Sequence, residues 1–221
     1  MGTRTRFFLP DGSSGFLNAG SYIRFATVFK GKSREVILNG EAYFDVLSNP
    51  QKPFVVSGGN IKVVAYGTSF NVEAYPEDQV NKVTLVKGKV EVFGERNDKV
   101  RSLGILTPGE MCVYNNEESS SEFVRVDASK ITSWKEGKLT FINEPFNEVV
   151  KKLNRRYSVN IVIKDERLKD YSYLATFEDE TLDEVLNLLK LSAPIRIKER
   201  EREKRLDGSY KEKTIEFYFK N

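Results

Sequence analysis

With 221 residues, 39% of them hydrophobic and 30% charged, and with 15 Phe and 10 Tyr, the chain is long enough for one or two domains around a sizeable core and too apolar to be disordered. It contains no histidine, which excludes His-containing catalytic triads, His-ligated zinc sites and the imidazole metal cluster of cupin enzymes. The net charge of +3, from 35 basic and 32 acidic residues, implies no nucleic-acid partner.

In chain order, short β-rich runs come first, at 7–9, 22–25, 35–38, 42–47, 54–57, 61–65, 70–75, 82–86, 89–93, 103–106, 111–114 and 123–126. Period-two alternation through Val36 and Leu38, through Tyr43, Asp45 and Leu47, and through Ile61, Val63 and Ala65 marks half-buried strands. Glycines at 40, 58, 59, 67, 88 and 94 fall between these runs, where a residue tolerant of positive φ lets the chain reverse or bulge. No helical period interrupts them, so residues 1–128 are expected to form an all-β antiparallel sandwich, jelly-roll-like in outline. The polar stretches 97–99 and 115–121 read as exposed loops.

Near the only tryptophan, Trp134, the period changes, and 129–221 reads as a second, small α/β (α+β) domain. Thr140-Phe141, Glu144, Glu148-Val149 and Leu153 recur as Thr176-Phe177, Glu180, Glu184-Val185 and Leu189, a constant offset of 36. Phe146, Val149, Val150 and Leu153 form one amphipathic helical stripe, and Leu182, Val185, Leu186 and Leu189 form another. Thr181 and Glu184 suit a capping box. Strand-like runs flank both helices, which predicts two βαβ units, and a last strand at 214–219 is expected to pair with 195–202 across Asp207-Gly208.

Candidate chemistry is sparse. Glu41 and Asp45, four apart on one strand, form either a carboxylate pair or two solvent-facing acids. Cys112, the only cysteine, reads as a buried strand residue rather than a reactive thiol. Trp134 is either a ligand platform or an interdomain packing residue. Lys151, Lys152, Arg155 and Arg156 make one basic helical face, either solvated or a docking surface, and Lys198, Arg200, Arg202 and Lys204 alternate along a strand expected at a sheet edge. No cofactor or metal is called for. A carbohydrate-binding β-sandwich module is the alternative reading, and it requires several aromatics exposed on one concave face.

Five blocks then resemble the FecR family of periplasmic regulators: residues 40–46 (GEAYFDV), 53–56 (PFVV), 67–72 (GTSFNV), 85–90 (LVKGKV) and 106–110 (LTPGE). Residues 9–13 and 17–21 are similar as well, although Ser14-Gly15-Phe16 departs from the branched apolar and aromatic residues usual between them. The duplicated domain resembles the short N-terminal signalling domain of secretins and TonB-dependent receptors, on which alone a third reading, a pilus or secretion-channel component, would rest. The resemblance implies the periplasmic part of an anti-sigma factor, anchored to the inner membrane by a helix outside this chain. Its implied partners are the signalling domain of a TonB-dependent outer-membrane receptor and, through a cytoplasmic segment also outside this chain, an ECF sigma factor. The resemblance further implies self-cleavage at Gly67-Thr68 by an N-to-O acyl shift, against which stands a plain bulge or tight turn.

Overall fold

The computed structural model describes residues 3–97, 99–202, 204–205 and 207–220; Asp98 of the 97–99 loop and Glu203, between Arg202 and Lys204, lie outside the described residues. The backbone divides into two compact units, one spanning Arg4–Lys135 and the other beginning at Glu136.

The first unit opens with β1 (Thr5–Phe8), β2 (Ser14–Leu17), β3 (Tyr22–Phe25) and the long β4 (Arg34–Asp45). There follow β5 (Phe54–Gly58), β6 (Ile61–Ala65), β7 (Ser69–Ala74), β8 (Val80–Lys87) and β9 (Val90–Arg96). The run ends with β10 (Lys99–Leu106), β11 (Glu110–Asn115) and β12 (Ser121–Arg125). One twelve-stranded sheet holds them in the path β10-β9-β6-β5-β4-β7-β8-β11-β12, with β2 and β3 also joined to β4 and β1 to β2.

β4 is the hub. Residues 34–39 pair with β3 and β5, whereas 40–45 pair with β7 and β2. Every second residue from Arg34 to Phe44 is buried, so the alternation reads through without a break. This corrects the reading of two strands separated by a turn at Gly40. Gly40 has φ +107°, and a Cβ there would overlap Ser21, whose hydroxyl accepts from the Glu41 amide at 2.8 Å. The glycine therefore bends one strand instead of reversing it. The departure at Ser14-Gly15-Phe16 costs no strand, since these residues form most of β2. A second correction concerns direction: β4 and β5 run parallel, because residues 46–53 carry the chain back to the start of β4 before β5 begins.

Phe44 lies at the centre of the core, stacked on Phe70 at 5.4 Å and meeting Phe54 and Phe7 at 5.7 Å. Burial of each such ring contributes about 2–3 kcal/mol. At the far ends of the path the edge strands β10 and β12 approach one another, and the Phe123 ring occupies the space that a Cβ on Gly104 would need. Arg101 bonds the Ser119 carbonyl beside them, a second link between the two edges. The short α1 (Ala128–Ile131), capped by Asp127, then leads into a 3-10 turn, Ser133–Glu136.

The second unit contains β13 (Leu139–Pro145), α2 (Phe146–Tyr157), β14 (Val159–Ile163), a 3-10 turn (Glu166–Asp170) and β15 (Ser172–Phe177). Then come α3 (Leu182–Ser192), β16 (Ile195–Glu199) and β17 (Lys213–Phe219). Phe146, Val149, Val150 and Leu153 are buried on α2, as are Val185, Leu186 and Leu189 on α3. The capping box between Thr181 and Glu184 is present. The strands that flank each helix do not share a sheet, which corrects the expectation of two ordinary βαβ units. β13 pairs antiparallel with β15, whereas β14 and β16 lie on either side of β17. β17 takes that central place because Ile215 and Phe217 bury completely, pairing with Ile161 and Ile163 on β14 and with Glu199 and Ile197 on β16. The expected hairpin of β16 with β17 is formed.

Candidate functional site

Gly67 and Thr68 occupy the short connection from β6 to β7. The connection is pinned on one side by residues 46–49: the Val46 amide donates to the Thr68 carbonyl and the Asn49 amide to the Tyr66 carbonyl, both at 2.9 Å. Gly67 has φ +150°, and a Cβ there would lie 2.7 Å from the Cα of Ser48. On the other side Gly88, φ +91°, is equally constrained, since a Cβ on it would sit 2.7 Å from Cγ2 of Thr68 and 2.9 Å from the Gly67 carbonyl oxygen. The Gly67-Thr68 peptide is thus held between two backbones that only glycine lets approach. Where β8 passes it, Val86 forms a bulge, with Ser69 opposite Lys87 and Phe70 opposite Leu85.

Thr68 is buried, and its hydroxyl oxygen has no hydrogen-bond partner among the described residues. A hydroxyl in that state forfeits about 1–3 kcal/mol of solvation. The adjacent Ser69 hydroxyl takes no part, because it donates to Asp45 at 2.8 Å. Attack by the Thr68 hydroxyl on the Gly67 carbonyl carbon would form an ester and release the Thr68 amine, but no base is bonded to the hydroxyl among the described residues.

Asp45 is thus bound by a neighbouring serine, and Glu41 is likewise occupied, accepting from Asn18 at 2.7 Å and from Asn71 at 2.9 Å. Neither is a free catalytic acid. Asn71 also accepts from Nε1 of Trp134 at 3.2 Å, and Lys135 lies 5.3 Å above the Tyr43 ring. Trp134 therefore belongs to the first unit, covering the outer side of β4 and β7. Cys112 is buried, and burial pushes its thiol up to about 11, which leaves it protonated and inert.

The basic residues of α2 are turned towards their own unit. Lys151 pairs with Glu148 and Lys152 with Glu144, each at 2.8 Å, and Arg156 donates to the Gly137 carbonyl at 3.4 Å. Arg155 is half-buried beside them. The other set divides: Lys198 lies within β16, but Arg200 and Arg202 fall beyond its end, because the strand stops at Glu199.

Around Lys198 and Arg200 the structure gathers residues that the sequence reading missed. Thr214, Glu216 and Tyr218 lie on the face of β17 opposite Ile215 and Phe217. The register sets Lys198 beside Glu216 and Arg196 beside Tyr218, while the Lys164 amide continues β14 by donating to the Phe217 carbonyl. Glu216 is buried, although it lies on the outer face. Arg200 holds it by a two-pronged pair, Nη2 to Oε1 and Nε to Oε2, both 3.0 Å, and the Tyr218 hydroxyl donates to Oε2 at 2.9 Å. The Arg200 guanidinium, outweighing desolvation, keeps the Glu216 carboxyl below its ordinary value. Arg196 lies 5.1 Å over the Tyr218 ring, and Lys164 stands 3.9 Å from Glu216. The alternation of Lys198 and Arg200 was visible in the sequence; Arg196 was not included in it, and the place of Lys164 depends on a β14–β17 pairing that the sequence does not show.

Exposed aromatics of the first unit lie on separate elements, Phe8 on β1, Tyr22 on β3, Tyr66 after β6 and Phe123 on β12. The family model described as FecR protein matches residues 1–91, and the one described as FecR, C-terminal matches residues 138–206. Two crystal structures of a "putative anti-sigma factor" from Parabacteroides distasonis ATCC 8503 are similar, with TM-scores of 0.85 and 0.84. Each is 32% identical and matches across 100% of this chain and 96% of that one. No curated protein matches the chain.

Proposed function

The chain belongs to the FecR family of regulators, and on that footing we propose that it is the periplasmic sensing portion of an anti-sigma factor. In this reading it relays the occupied state of a TonB-dependent outer-membrane receptor to an ECF sigma factor, through a membrane anchor and a cytoplasmic segment outside this chain. The first unit serves as a jelly-roll-like sandwich, and the second as an α/β domain that docks the receptor's signalling domain. The observation that supports this best is the likeness, along the whole chain and across both units in their order, to a protein described as a "putative anti-sigma factor". A titration of the 221-residue chain with the receptor's signalling domain, alongside a reporter for the cognate sigma factor, tests it. Saturable binding and a reporter that loses its response when the chain is deleted support the proposal. Absence of both refutes it.

A second reading concerns Gly67-Thr68, and the unpartnered Thr68 hydroxyl favours it. The hydroxyl oxygen bonds to the Gly67 carbonyl carbon as the peptide C–N bond breaks, the proton passes to the freed amine, and water then hydrolyses the ester. Mass spectrometry of the purified chain after long incubation decides it. Two fragments meeting at Gly67 and Thr68, absent from Thr68→Ala, support cleavage, whereas an intact chain in both leaves a tight turn alone.

A further inference from the structure

The outer face of the β14-β17-β16 sheet presents four cations, Lys164, Arg196, Lys198 and Arg200, about Glu216, with Glu199, Glu201 and Glu212 gathered at the Arg200 end. An ordinary solvated sheet face mixes signs so that cations find anions. Here Glu216 is consumed from within: both of its oxygens are taken by Arg200, with Tyr218 and Lys164 adjoining. Lys198 and Arg196 have no ion-pair partner among the described residues, and both are exposed. Two of the four cations are also held in place before any ligand arrives. The carboxylate fork fixes the Arg200 guanidinium, while the Tyr218 ring carries that of Arg196. A cation already ordered loses little entropy on meeting an anion.

We propose that this face binds an acidic, extended segment of a protein partner, laid along β16 with its carboxylates over Arg196, Lys198 and the open side of Arg200. The proposal deepens the docking role given above to the second unit and rests on it. Geometry favours an extended segment because β16 is an outer strand whose one partner strand among the described residues is β17, so its other edge can take up a further strand. Chemistry favours protein over membrane because none of the unit's exposed large apolar side chains, which sit on β13, β15, α3 and the adjoining loops, lies on β14, β16 or β17. A membrane-seated face would carry such groups for insertion. Direction follows as well. Lys198, Arg200 and Glu216 also line a groove of about 780 Å³ whose other walls include Glu199, Glu201 and Glu212, whereas Arg196 and Lys164 stand outside it. The acidic segment therefore runs from Arg200 towards Arg196 and Lys164, away from those carboxylates.

The test uses the intact 221-residue chain and a fluorescent oligoglutamate peptide followed by anisotropy, with phosphatidylglycerol vesicles as a parallel probe. Arg196→Glu with Lys198→Glu, neither of which contributes to the core, should weaken peptide binding roughly tenfold, and added salt should weaken the unaltered chain similarly. Lys151→Glu with Arg155→Glu on α2 should change it less than about twofold. Equal losses in the two variants, or none in the first, would overturn the proposal. So would vesicle binding that depends on Arg196 and Lys198 in a chain that ignores the peptide. Titrating the receptor's signalling domain in parallel separates the two claims. Binding of that domain unaffected by the Arg196 and Lys198 reversals removes this surface but leaves the anti-sigma reading intact, whereas peptide binding without any binding of that domain removes the docking role and leaves the acidic recognition.

Discussion

Thr140 and Thr176 stand 36 residues apart, at equivalent places in the two repeats, and they are directly paired across β13 and β15 with 3.4 Å between their hydroxyls. Residues on either side exchange symmetrically, Leu139 with Phe177 and Phe141 with Ala175. A local two-fold axis therefore passes between the threonines, and the duplicated segments are joined as two partners are joined in a symmetric dimer. β17 breaks the symmetry by entering between β14 and β16.

Equivalent core positions should then carry comparable loads. Leu153 and Leu189, both fully buried, occupy the same place on α2 and α3. Leu153→Ala and Leu189→Ala are each expected to lower the stability of the second unit by about 3 kcal/mol. Calorimetry should show the second unit's transition shifted by similar amounts in both variants. A difference beyond about 2 kcal/mol would show that the loads had diverged after duplication.

The unpaired hydroxyl of Thr68 makes a prediction of opposite sign. Thr68→Val keeps the shape of the side chain while removing a buried oxygen that has no partner among the described residues, so it should stabilise the first unit by about 1 kcal/mol in urea denaturation. Thr68→Ser keeps the hydroxyl and loses the methyl that packs against Gly88; it should destabilise by a similar amount. If Thr68→Val destabilises instead, the hydroxyl has a partner in solution.

Buried Arg34 and half-buried Asp11 form an ion pair, 2.6 Å long, that ties the start of β4 to the turn before β2. Burial alone would raise the Asp11 carboxyl, but hydrogen bonds from Arg34 and Ser13 outweigh it and hold the carboxyl below its ordinary 3.8. A carboxylate with a depressed folded value contributes stability that is present above 3.8 and is lost as pH falls below that towards the folded value. Asp11→Ala strands the guanidinium, which also bonds the Leu47 and Lys52 carbonyls, and should cost about 3 kcal/mol at neutral pH. Its cost should shrink in melts taken below pH 3.8, where the native partner is itself being neutralised.

Much of this architecture was legible because local rules and tertiary packing agree. The stripes of α2 and α3, the capping box at Thr181 and the β16–β17 hairpin all follow from spacing. What escaped depends on pairing between distant segments. At Gly40 a glycine between apolar runs signals a turn, and only the approach of Ser21 shows that it bends a continuous strand. The parallel register of β4 with β5 leaves no mark on alternation, since period two is the same in either direction. Of the functional candidates, the charges of α2 were visible, but their capture by Glu144 and Glu148 was not. Lys164 joins Lys198 only because β17 lies between their strands.

Trp134, the only tryptophan, reports on one contact. Its Nε1 donates to Asn71, which is buried and donates in turn to Glu41, so the amide joins an indole to a carboxylate. Asn71→Ala removes both bonds and should cost about 2 kcal/mol, with tryptophan emission shifted to the red as the indole loses its anchor on β7. Asn71→Asp keeps an acceptor for the indole but sets a second carboxylate against Glu41, so at neutral pH repulsion should shift the emission as well. Lowering the pH should therefore restore native emission in Asn71→Asp, where the protonated acid again bonds Glu41, and should leave Asn71→Ala unchanged. An emission spectrum of Asn71→Asp independent of pH would mean that Glu41 and Asn71 are not coupled in solution.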